Sequence, residues 1–218
     1  MDGRRIGILG GTFNPPHRGH LALARSARAE LDLEQVLLMP ANVAPNKRSE
    51  AADPGPAHRL AMCRLAVASD APGIEASSLE VERGGVSYTI DTLRAIHEHE
   101  GDVELTLIVG ADTARTLAGW REPAQLLELA ELAVAQRDGV GSEDVREALL
   151  GLHPSPRVRL LRMQEIAVSS SEVRERVGQG LPVGELVGEA VAAYIGEHGL
   201  YASAPPARKA AHAGEGAR

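Results

Sequence analysis

Short runs of consecutive apolar residues alternate along this chain with longer segments in which apolar residues recur at every third or fourth position. The short runs predict buried strands, because a strand that is covered on both faces is apolar throughout. They cover residues 6–9, 36–39, 74–81, 103–109, 132–135 and 158–161. The longer segments predict helices with one buried face. They cover residues 20–33, 58–69, 88–97, 113–117, 123–129, 143–150, 171–177 and 183–197.

This alternation of strand and helix predicts an α/β fold, namely a Rossmann-like parallel sheet of about five to six strands with helices on both faces. Ligands of such sheets bind at the carboxyl ends of the strands. We expect one folded domain over residues 1–202. The loop 41–57 is rich in Ala, Pro and charge and is long for a compact domain, which favours a lid or a binding loop. Residues 203–218 combine prolines with small residues and scattered charge, which is typical of a disordered tail.

The composition narrows the class of partner. With 44% hydrophobic residues the 218-residue chain can bury a core, and its single cysteine, Cys63, excludes an internal disulfide. A net charge of −7 and only 2% aromatic residues argue against nucleic-acid binding, since broad basic surfaces and stacking platforms are both lacking. No apolar run is long enough to span a bilayer, and the first apolar stretch is too short for a signal peptide. We therefore expect a cytoplasmic protein with no nucleic-acid and no membrane partner.

The first predicted strand ends in the segment 10–20, which reads Gly-Gly-Thr-Phe-Asn-Pro-Pro-His-Arg-Gly-His. Its paired glycines, Gly10 and Gly11, allow backbone amides to approach a ligand closely. His17 and His20 are three residues apart at the start of a helix, so both rings point the same way from an end that attracts anions. Two imidazoles and free amides at one place predict a receptor for phosphate oxygens.

Competing nucleotide motifs are absent from the sequence. No G-x-G-x-x-G motif follows the first strand and no G-x-x-x-x-G-K-[ST] motif occurs anywhere, which disfavours dinucleotide-binding and Walker-type proteins. A metal site at His17 and His20 is an alternative to the phosphate receptor. No third ligand stands nearby in the sequence, so we predict no metal held by protein side chains.

The segment 10–20 resembles the H-x-G-H signature of nucleotidyltransferases, which join a nucleoside triphosphate to a phosphate-bearing acceptor. Further blocks occur in the order seen in bacterial nicotinate-nucleotide adenylyltransferases, which the chain resembles over residues 4–201. These blocks are Ser-Tyr-Thr-Ile-Asp-Thr-Leu at 87–93, Gly-Ala-Asp at 110–112, Trp120 and Val-Ser-Ser-Ser-Glu-Val-Arg at 168–174. The resemblance implies a nucleotidyltransferase domain of NAD biosynthesis that converts ATP and nicotinate mononucleotide into deamido-NAD and pyrophosphate, with Mg²⁺ accompanying ATP.

The resemblance also implies roles for individual residues. Catalytic roles fall to His17, His20, Lys47 and Arg174. ATP contacts fall to Gly10, Gly11, Thr12, Phe13, His17, His20, Gly110, Asp112, Ser169, Ser170 and Arg174. Contacts to nicotinate mononucleotide fall to Thr12, Lys47, Tyr88, Thr89, Asp112, Trp120 and Arg137. Asn46 stands where the family commonly has a histidine before the lysine, which bears on a third imidazole contact but leaves Lys47 in place.

Several of these residues also have a purely structural interpretation. One serine of the run 169–171 is a natural helix N-cap, and Asp112 can cap the helix that follows its strand. Trp120 can belong to the core, and Lys47 and Arg137 can be solvated charges. None of these structural roles is incompatible with a ligand contact.

Alternatives to the implied activity stay open as well. A sister transferase would use nicotinamide mononucleotide or phosphopantetheine as its acceptor, and a nucleotide-binding regulator would keep the fold without turnover. The Ser-Tyr-Thr block and Trp120 favour a pyridine nucleotide, whereas intact His17, His20 and Arg174 favour turnover. The sequence is compatible with a homo-oligomer.

Overall fold

A computed structural model describes residues 3–45, 53–68, 72–135, 147, 149–162 and 166–202. Asn46, Lys47 and Arg137 lie outside the described residues, as do part of the predicted helix 143–150 and the segment 203–218. What the sequence predicts for them stays a prediction.

Within the described residues, the strands form one sheet in which every neighbouring pair is parallel. They are β1 (Arg4–Gly11), β2 (Gln35–Pro40), β3 (Ile74–Ala76), β4 (Val103–Gly110), β5 (Ala130–Ala135) and β6 (Val158–Leu161). Their order across the sheet is β3-β2-β1-β4-β5-β6. The chain adds strands outward from β1 on one side and then crosses back to β4, so the loops after β1 and β4 diverge and leave a crevice between them.

Helices pack on both faces of the sheet. They are α1 (Arg18–Glu30), α2 (Pro56–Ala68), α3 (Leu79–Arg83), α4 (Thr89–Glu100), α5 (Ala111–Arg115), α6 (Pro123–Leu129), α7 (Ser170–Gly178), α8 (Gly184–Val187) and α9 (Glu189–Glu197). A 3₁₀ turn, Leu117–Gly119, stands between α5 and α6. In the described part of the chain, no helix has the length and apolarity needed to cross a membrane.

The sheet lies between two apolar clusters, one on each face. On one face Ile6 of β1 belongs to a cluster with Leu93 of α4. On the other face Leu38 of β2 belongs to a cluster with Ala24 of α1 and Met62 of α2. Burial from both sides explains why the central strands β1 and β2 contain uninterrupted apolar runs in the sequence. The architecture confirms the predicted α/β, Rossmann-like parallel sheet and contains six strands among the described residues.

The predicted strand 74–81 is wrong in its second half. Only Ile74–Ala76 pairs with β2, and Leu79–Arg83 forms α3 instead. The helix turns Glu80 inward, where the Thr92 hydroxyl donates a hydrogen bond of 2.6 Å to its carboxylate. This contact joins residues that are distant along the chain, so local alternation of apolar and polar residues does not reveal it.

Two predicted helix boundaries also differ from the structure. The segment 183–197 is not one helix, because Gly188, with a φ of +89°, separates α8 from α9. Glycine adopts such a φ at little cost, and the apolar spacing on either side is unaffected. The helix predicted to begin at His20 begins at Arg18, and His17 is its N-cap.

Candidate active site

A cleft of about 630 Å³ opens at the carboxyl ends of β1 and β4. It lies at the crevice where the strand order reverses, which is the usual ligand site of such sheets. The predicted site residues that line it come from segments far apart in the sequence. They are Gly10, Gly11, Thr12, Phe13, His20, Tyr88, Thr89, Gly110, Trp120, Ser170 and Arg174.

Other predicted site residues lie beside the cleft. His17 is buried behind His20, and Ser169 is the N-cap of α7, where its hydroxyl accepts a hydrogen bond of 3.1 Å from the Glu172 amide. Asp112 is exposed on the first turn of α5 and is outside the set of described residues that line the cleft. The substrate contacts that the resemblance implies for Asp112 and Ser169 therefore stay predictions.

The two histidines of the H-x-G-H motif are coupled. Their rings stack with centroids 3.7 Å apart, and the Phe13 ring meets His20 edge-on at 4.8 Å. The backbone N–H of His17 donates to Nδ1 of His20 at 3.2 Å. Because Nδ1 of His20 accepts a hydrogen bond, the neutral ring carries its proton on Nε2 and offers it as a donor. Burial lowers the pKa of His17 to about 4, so this ring is neutral at physiological pH.

The glycine of the same motif, Gly19, is required for steric reasons. A Cβ at Gly19 would lie 3.1 Å from Nδ1 of His17 and 3.2 Å from Cγ1 of Val168. Contacts this short require the histidine ring or the neighbouring segment to move. Gly19 therefore holds the space in which the buried imidazole packs.

Helix α7 is far from the loop after β1 along the sequence, but polar contacts tie the two together. With His20 they form what we term the glycine side of the cleft (residues 10–14, His20, Ser170 and Arg174). The Ser170 hydroxyl donates to the carbonyl of Pro15 at 2.8 Å. A guanidinium nitrogen of Arg174 donates to the carbonyl of Asn14 at 2.7 Å. These contacts place a hydroxyl, a guanidinium and an imidazole around the glycine backbone.

Arg59 is a residue of this site that the sequence analysis missed. It lies on α2 and is 1% exposed. Its guanidinium donates to the carbonyls of Thr12 at 2.9 Å, Ala41 at 2.6 Å and Asn42 at 3.0 Å. It also pairs with the Asp53 carboxylate at 3.0 Å. Arg59 thus joins the loop after β1 to the loop after β2. A charged residue among apolar neighbours on a helix was the available signal.

The aromatic side of the cleft comprises Tyr88, Thr89, Trp120 and Arg121. Tyr88 and Thr89 stand at the start of α4, and Trp120 follows the 3₁₀ turn, where its indole N–H donates to the Thr116 hydroxyl at 3.2 Å. The guanidinium carbon of Arg121 lies 4.8 Å from the centroid of the Tyr88 ring. The sequence analysis singled out the two aromatic residues but not Arg121.

Glu80 is a second cleft residue that the sequence analysis missed. Its carboxylate is 6% exposed and accepts the hydrogen bond from Thr92, whose hydroxyl in turn accepts one from Arg83 at 3.0 Å. Among the described residues, Glu80 is the carboxylate that lines the cleft. The strand pattern predicted for 74–81 does not indicate this inward position, which the helix gives it.

The chain is similar to known proteins over most of its length. The cytidylyltransferase-like family matches residues 8–176. A protein of Roseiflexus sp. (strain RS-1), named "Probable nicotinate-nucleotide adenylyltransferase", is 44% identical over 203 residues, which are 92% of this chain and 100% of that protein. A protein of the same name from Herpetosiphon aurantiacus is 42% identical over 200 residues, which are 91% of this chain and 98% of that protein.

Solved structures share the fold. The nicotinic acid mononucleotide adenylyltransferase of Plasmodium falciparum complexed with NaAD superposes with a TM-score of 0.74 at 17% identity, covering 91% of this chain and 97% of that one. The same enzyme complexed with APC gives a TM-score of 0.73 over the same shares. At this identity the likeness shows the fold alone.

Proposed function

This chain belongs to the nicotinate-nucleotide adenylyltransferases of the cytidylyltransferase-like family, and on that premise we propose that it transfers the adenylyl group of ATP to nicotinate mononucleotide. The products are deamido-NAD and pyrophosphate. The observation that carries the proposal is the single cleft in which the glycine side, with His20 and Arg174, meets the aromatic side, with Tyr88 and Trp120. One side suits a triphosphate and the other suits a planar ring.

The reaction is a displacement at phosphorus. A phosphate oxygen of the mononucleotide attacks the α-phosphorus of ATP, a new P–O bond forms, and the bond to the β-phosphate breaks. Pyrophosphate leaves with the electron pair of that bond. The attacking phosphate is already ionised at neutral pH, so the step needs no general base and no covalent intermediate. The protein contributes alignment of two anions and stabilisation of the charge that develops.

The glycine side supplies donors for this charge. His20 offers Nε2–H, since its Nδ1 is occupied by the His17 amide. Gly10 and Gly11 end β1 at the cleft, where backbone amides are accessible to a phosphate. Arg174 and Ser170 line the same side of the cleft, and we propose that they contact the leaving pyrophosphate. Lys47 would add a further cation to the same charge, and this role stays a prediction from the sequence.

Mg²⁺ would enter with the ATP substrate and would offset the charge of its phosphates. Among the described residues, no three His, Cys, Asp or Glu side chains are grouped so as to hold a metal ion. The cleft carboxylate, Glu80, is engaged by Thr92. This donor set fits an ion held by phosphate oxygens and water.

The aromatic side suits the acceptor. We propose that the pyridine ring stacks on Trp120 and that Tyr88 and Thr89 hold its substituent at the start of α4. Asp112 and Arg137 are proposed to contact a ribose hydroxyl and the mononucleotide phosphate, respectively. The family resemblance implies these roles, and the presence of Tyr88, Thr89 and Trp120 in one cleft supports the three that concern them.

The experiment is an acceptor panel with the purified full-length chain, ATP and Mg²⁺. Nicotinate mononucleotide, nicotinamide mononucleotide and phosphopantetheine are supplied separately at equal concentration, and pyrophosphate and the adenylylated product are both quantified. We expect equimolar pyrophosphate and deamido-NAD with nicotinate mononucleotide. Turnover with phosphopantetheine alone would identify a sister transferase, and ATP binding without any pyrophosphate release would identify a regulator. Either outcome contradicts the proposal.

A further inference from the structure

We propose that the side chain of Arg121 recognises the negative charge on the pyridine substituent of the acceptor and so makes the enzyme prefer the carboxylate to the carboxamide. This inference rests on the proposed function, since it concerns the acceptor of that reaction. It assigns a specificity-determining role to a residue that belongs to none of the sequence motifs and has no part in the transfer step itself.

The first observation is where the positive charges of the cleft lie. Among the described residues that line it, the arginines are Arg121 and Arg174. Arg174 lies on the glycine side, because its guanidinium donates to the Asn14 carbonyl. Arg121 lies on the aromatic side, over the Tyr88 ring and next to Trp120 in sequence. One cation therefore stands with the phosphate donors, and the other stands where the pyridine ring is proposed to bind.

The second observation is how Arg121 is held. Its guanidinium carbon lies over the Tyr88 ring, 4.8 Å from the centroid, and its ion pairs with Asp91 and Glu122 have N···O distances of 3.8 Å and 3.5 Å. Both exceed the 2.7–2.9 Å that is typical of a charge-assisted hydrogen bond. Arg121 makes no shorter polar contact within the described part of the chain. It is oriented, yet most of its five N–H groups remain available to a ligand.

The third observation concerns the carboxylates beside it. Glu122 makes its short contact with another residue, Arg94, whose guanidinium donates to it at 2.7 Å. Arg94 also lies 3.9 Å from Asp91. Both carboxylates are thus shared between Arg94 and Arg121, and neither makes a short hydrogen bond with Arg121. A carboxylate on the substrate can make the short, paired hydrogen bonds that these side chains do not make.

This arrangement distinguishes acid from amide by charge. The two acceptors have the same shape at this position, so a steric pocket would not separate them. A carboxylate accepts from a guanidinium in bidentate fashion, whereas a carboxamide offers one oxygen and presents an NH₂ group that repels the cation. Because the Arg121 side chain is about half exposed, solvent weakens its attraction to a carboxylate. We expect Arg121 to contribute about tenfold to the preference for the acid over the amide in kcat/KM.

The test compares kcat/KM for nicotinate mononucleotide and nicotinamide mononucleotide in the wild type, Arg121→Gln and Arg121→Lys. Arg159→Gln is the matched control, because Arg159 is an exposed arginine on β6 that pairs with Glu131 away from the cleft. We expect Arg121→Gln to reduce the acid-to-amide ratio by about tenfold, through a higher KM for the acid, with the KM for ATP unchanged. Arg121→Lys retains the charge and should keep most of the preference, and Arg159→Gln should keep all of it.

A second measurement does not depend on turnover. Calorimetric titration of each mononucleotide into the wild type and Arg121→Gln should show weaker binding of the acid alone, and salt should weaken acid binding more in the wild type than in the variant. An unchanged ratio in Arg121→Gln, or equal losses for acid and amide, overturns the assignment of Arg121 while leaving the adenylyl transfer intact. Absence of turnover by the wild type with either acceptor overturns the proposed function, and this inference falls with it.

Discussion

The imidazoles of His17 and His20 stack with their ring centroids 3.7 Å apart, and the His17 amide donates to Nδ1 of His20. The motif therefore contains two histidines with different surroundings. His20 lines the cleft, whereas His17 is buried against it and against the glycine between them. We therefore propose that His20 is the ring that contacts substrate and that His17 fixes its position and its tautomer.

Replacing His20 with alanine removes the proposed donor to the α-phosphate. We expect kcat to fall by at least about a hundredfold, the usual scale for one donor that acts on developing charge. Pyrophosphate release under saturating ATP and acceptor measures the effect. His99→Ala is a matched control, since His99 is an exposed histidine in the last turn of α4. Near-normal turnover by His20→Ala would remove His20 from the mechanism.

The buried ring of His17 makes stability depend on pH. Its pKa is about 4 in the folded chain and about 6.5 in the unfolded chain, so between these values only the unfolded state binds the proton. The free energy of unfolding should therefore fall as the pH drops from about 6.5 to 4, by about 3 kcal/mol from this group. Above about pH 6.5 both states are neutral and the contribution vanishes.

Urea unfolding of the wild type and His17→Asn at several pH values between 4 and 8 tests this slope. Other groups titrate in both proteins, so the difference between the two curves isolates His17. We expect the wild type to lose more stability than the variant on acidification. Parallel curves would show that His17 is not held neutral by burial.

Adding a methyl group at Gly19 should disturb the histidine pair. The new Cβ would meet the His17 ring and Val168 at 3.1–3.2 Å, and relieving such overpacking typically costs about 1–3 kcal/mol. We expect Gly19→Ala to lower both the melting temperature and kcat, because displacing His17 shifts His20. Gly196→Ala on α9 is the control, since its Cβ would meet nothing within 4 Å. That helical substitution should leave activity unchanged and raise stability slightly.

Arg59→Met leaves the Asp53 carboxylate and the backbone carbonyls of Thr12 and Ala41 without their shared partner. Breaking a buried ion pair from one side typically costs about 3–5 kcal/mol. We expect that loss in urea unfolding, and a raised KM for ATP in the less disruptive Arg59→Lys, because the loop after β1 loses its anchor. Arg64→Met changes an exposed arginine on the same helix. It should leave both the free energy of unfolding and the KM for ATP unchanged. Equal effects of Arg59→Met and Arg64→Met would contradict a positioning role.

The sequence predicts the part of the site that is formed by consecutive residues. The segment 10–20 carries its glycines, its histidines and its helix start together, so its place at the end of β1 follows from the local pattern. Arg59 and Arg121 owe their importance to partners far along the chain, such as Thr12 for the first and Tyr88 for the second. No spacing of apolar residues encodes those partners.

The same reason explains the errors in the fold. A three-residue strand and a short helix share the apolar positions of 74–81, and the helix is joined to α4 by the hydrogen bond between Glu80 and Thr92, which the local pattern does not show. Gly188 interrupts a helix whose apolar spacing continues on both sides. The long buried strands, by contrast, are apolar on both faces, and β1 and β4 were therefore visible in the sequence.

The central claim is transfer of the adenylyl group, and following each phosphorus of ATP tests it most directly. The full-length chain is incubated with nicotinate mononucleotide, Mg²⁺ and ATP labelled at either the α- or the γ-phosphorus, and the products are separated. We predict that the α-label appears in deamido-NAD and the γ-label in pyrophosphate, in equal amounts and only when the acceptor is present. Recovery of the α-label as AMP, or of both labels as unreacted ATP, would contradict the account.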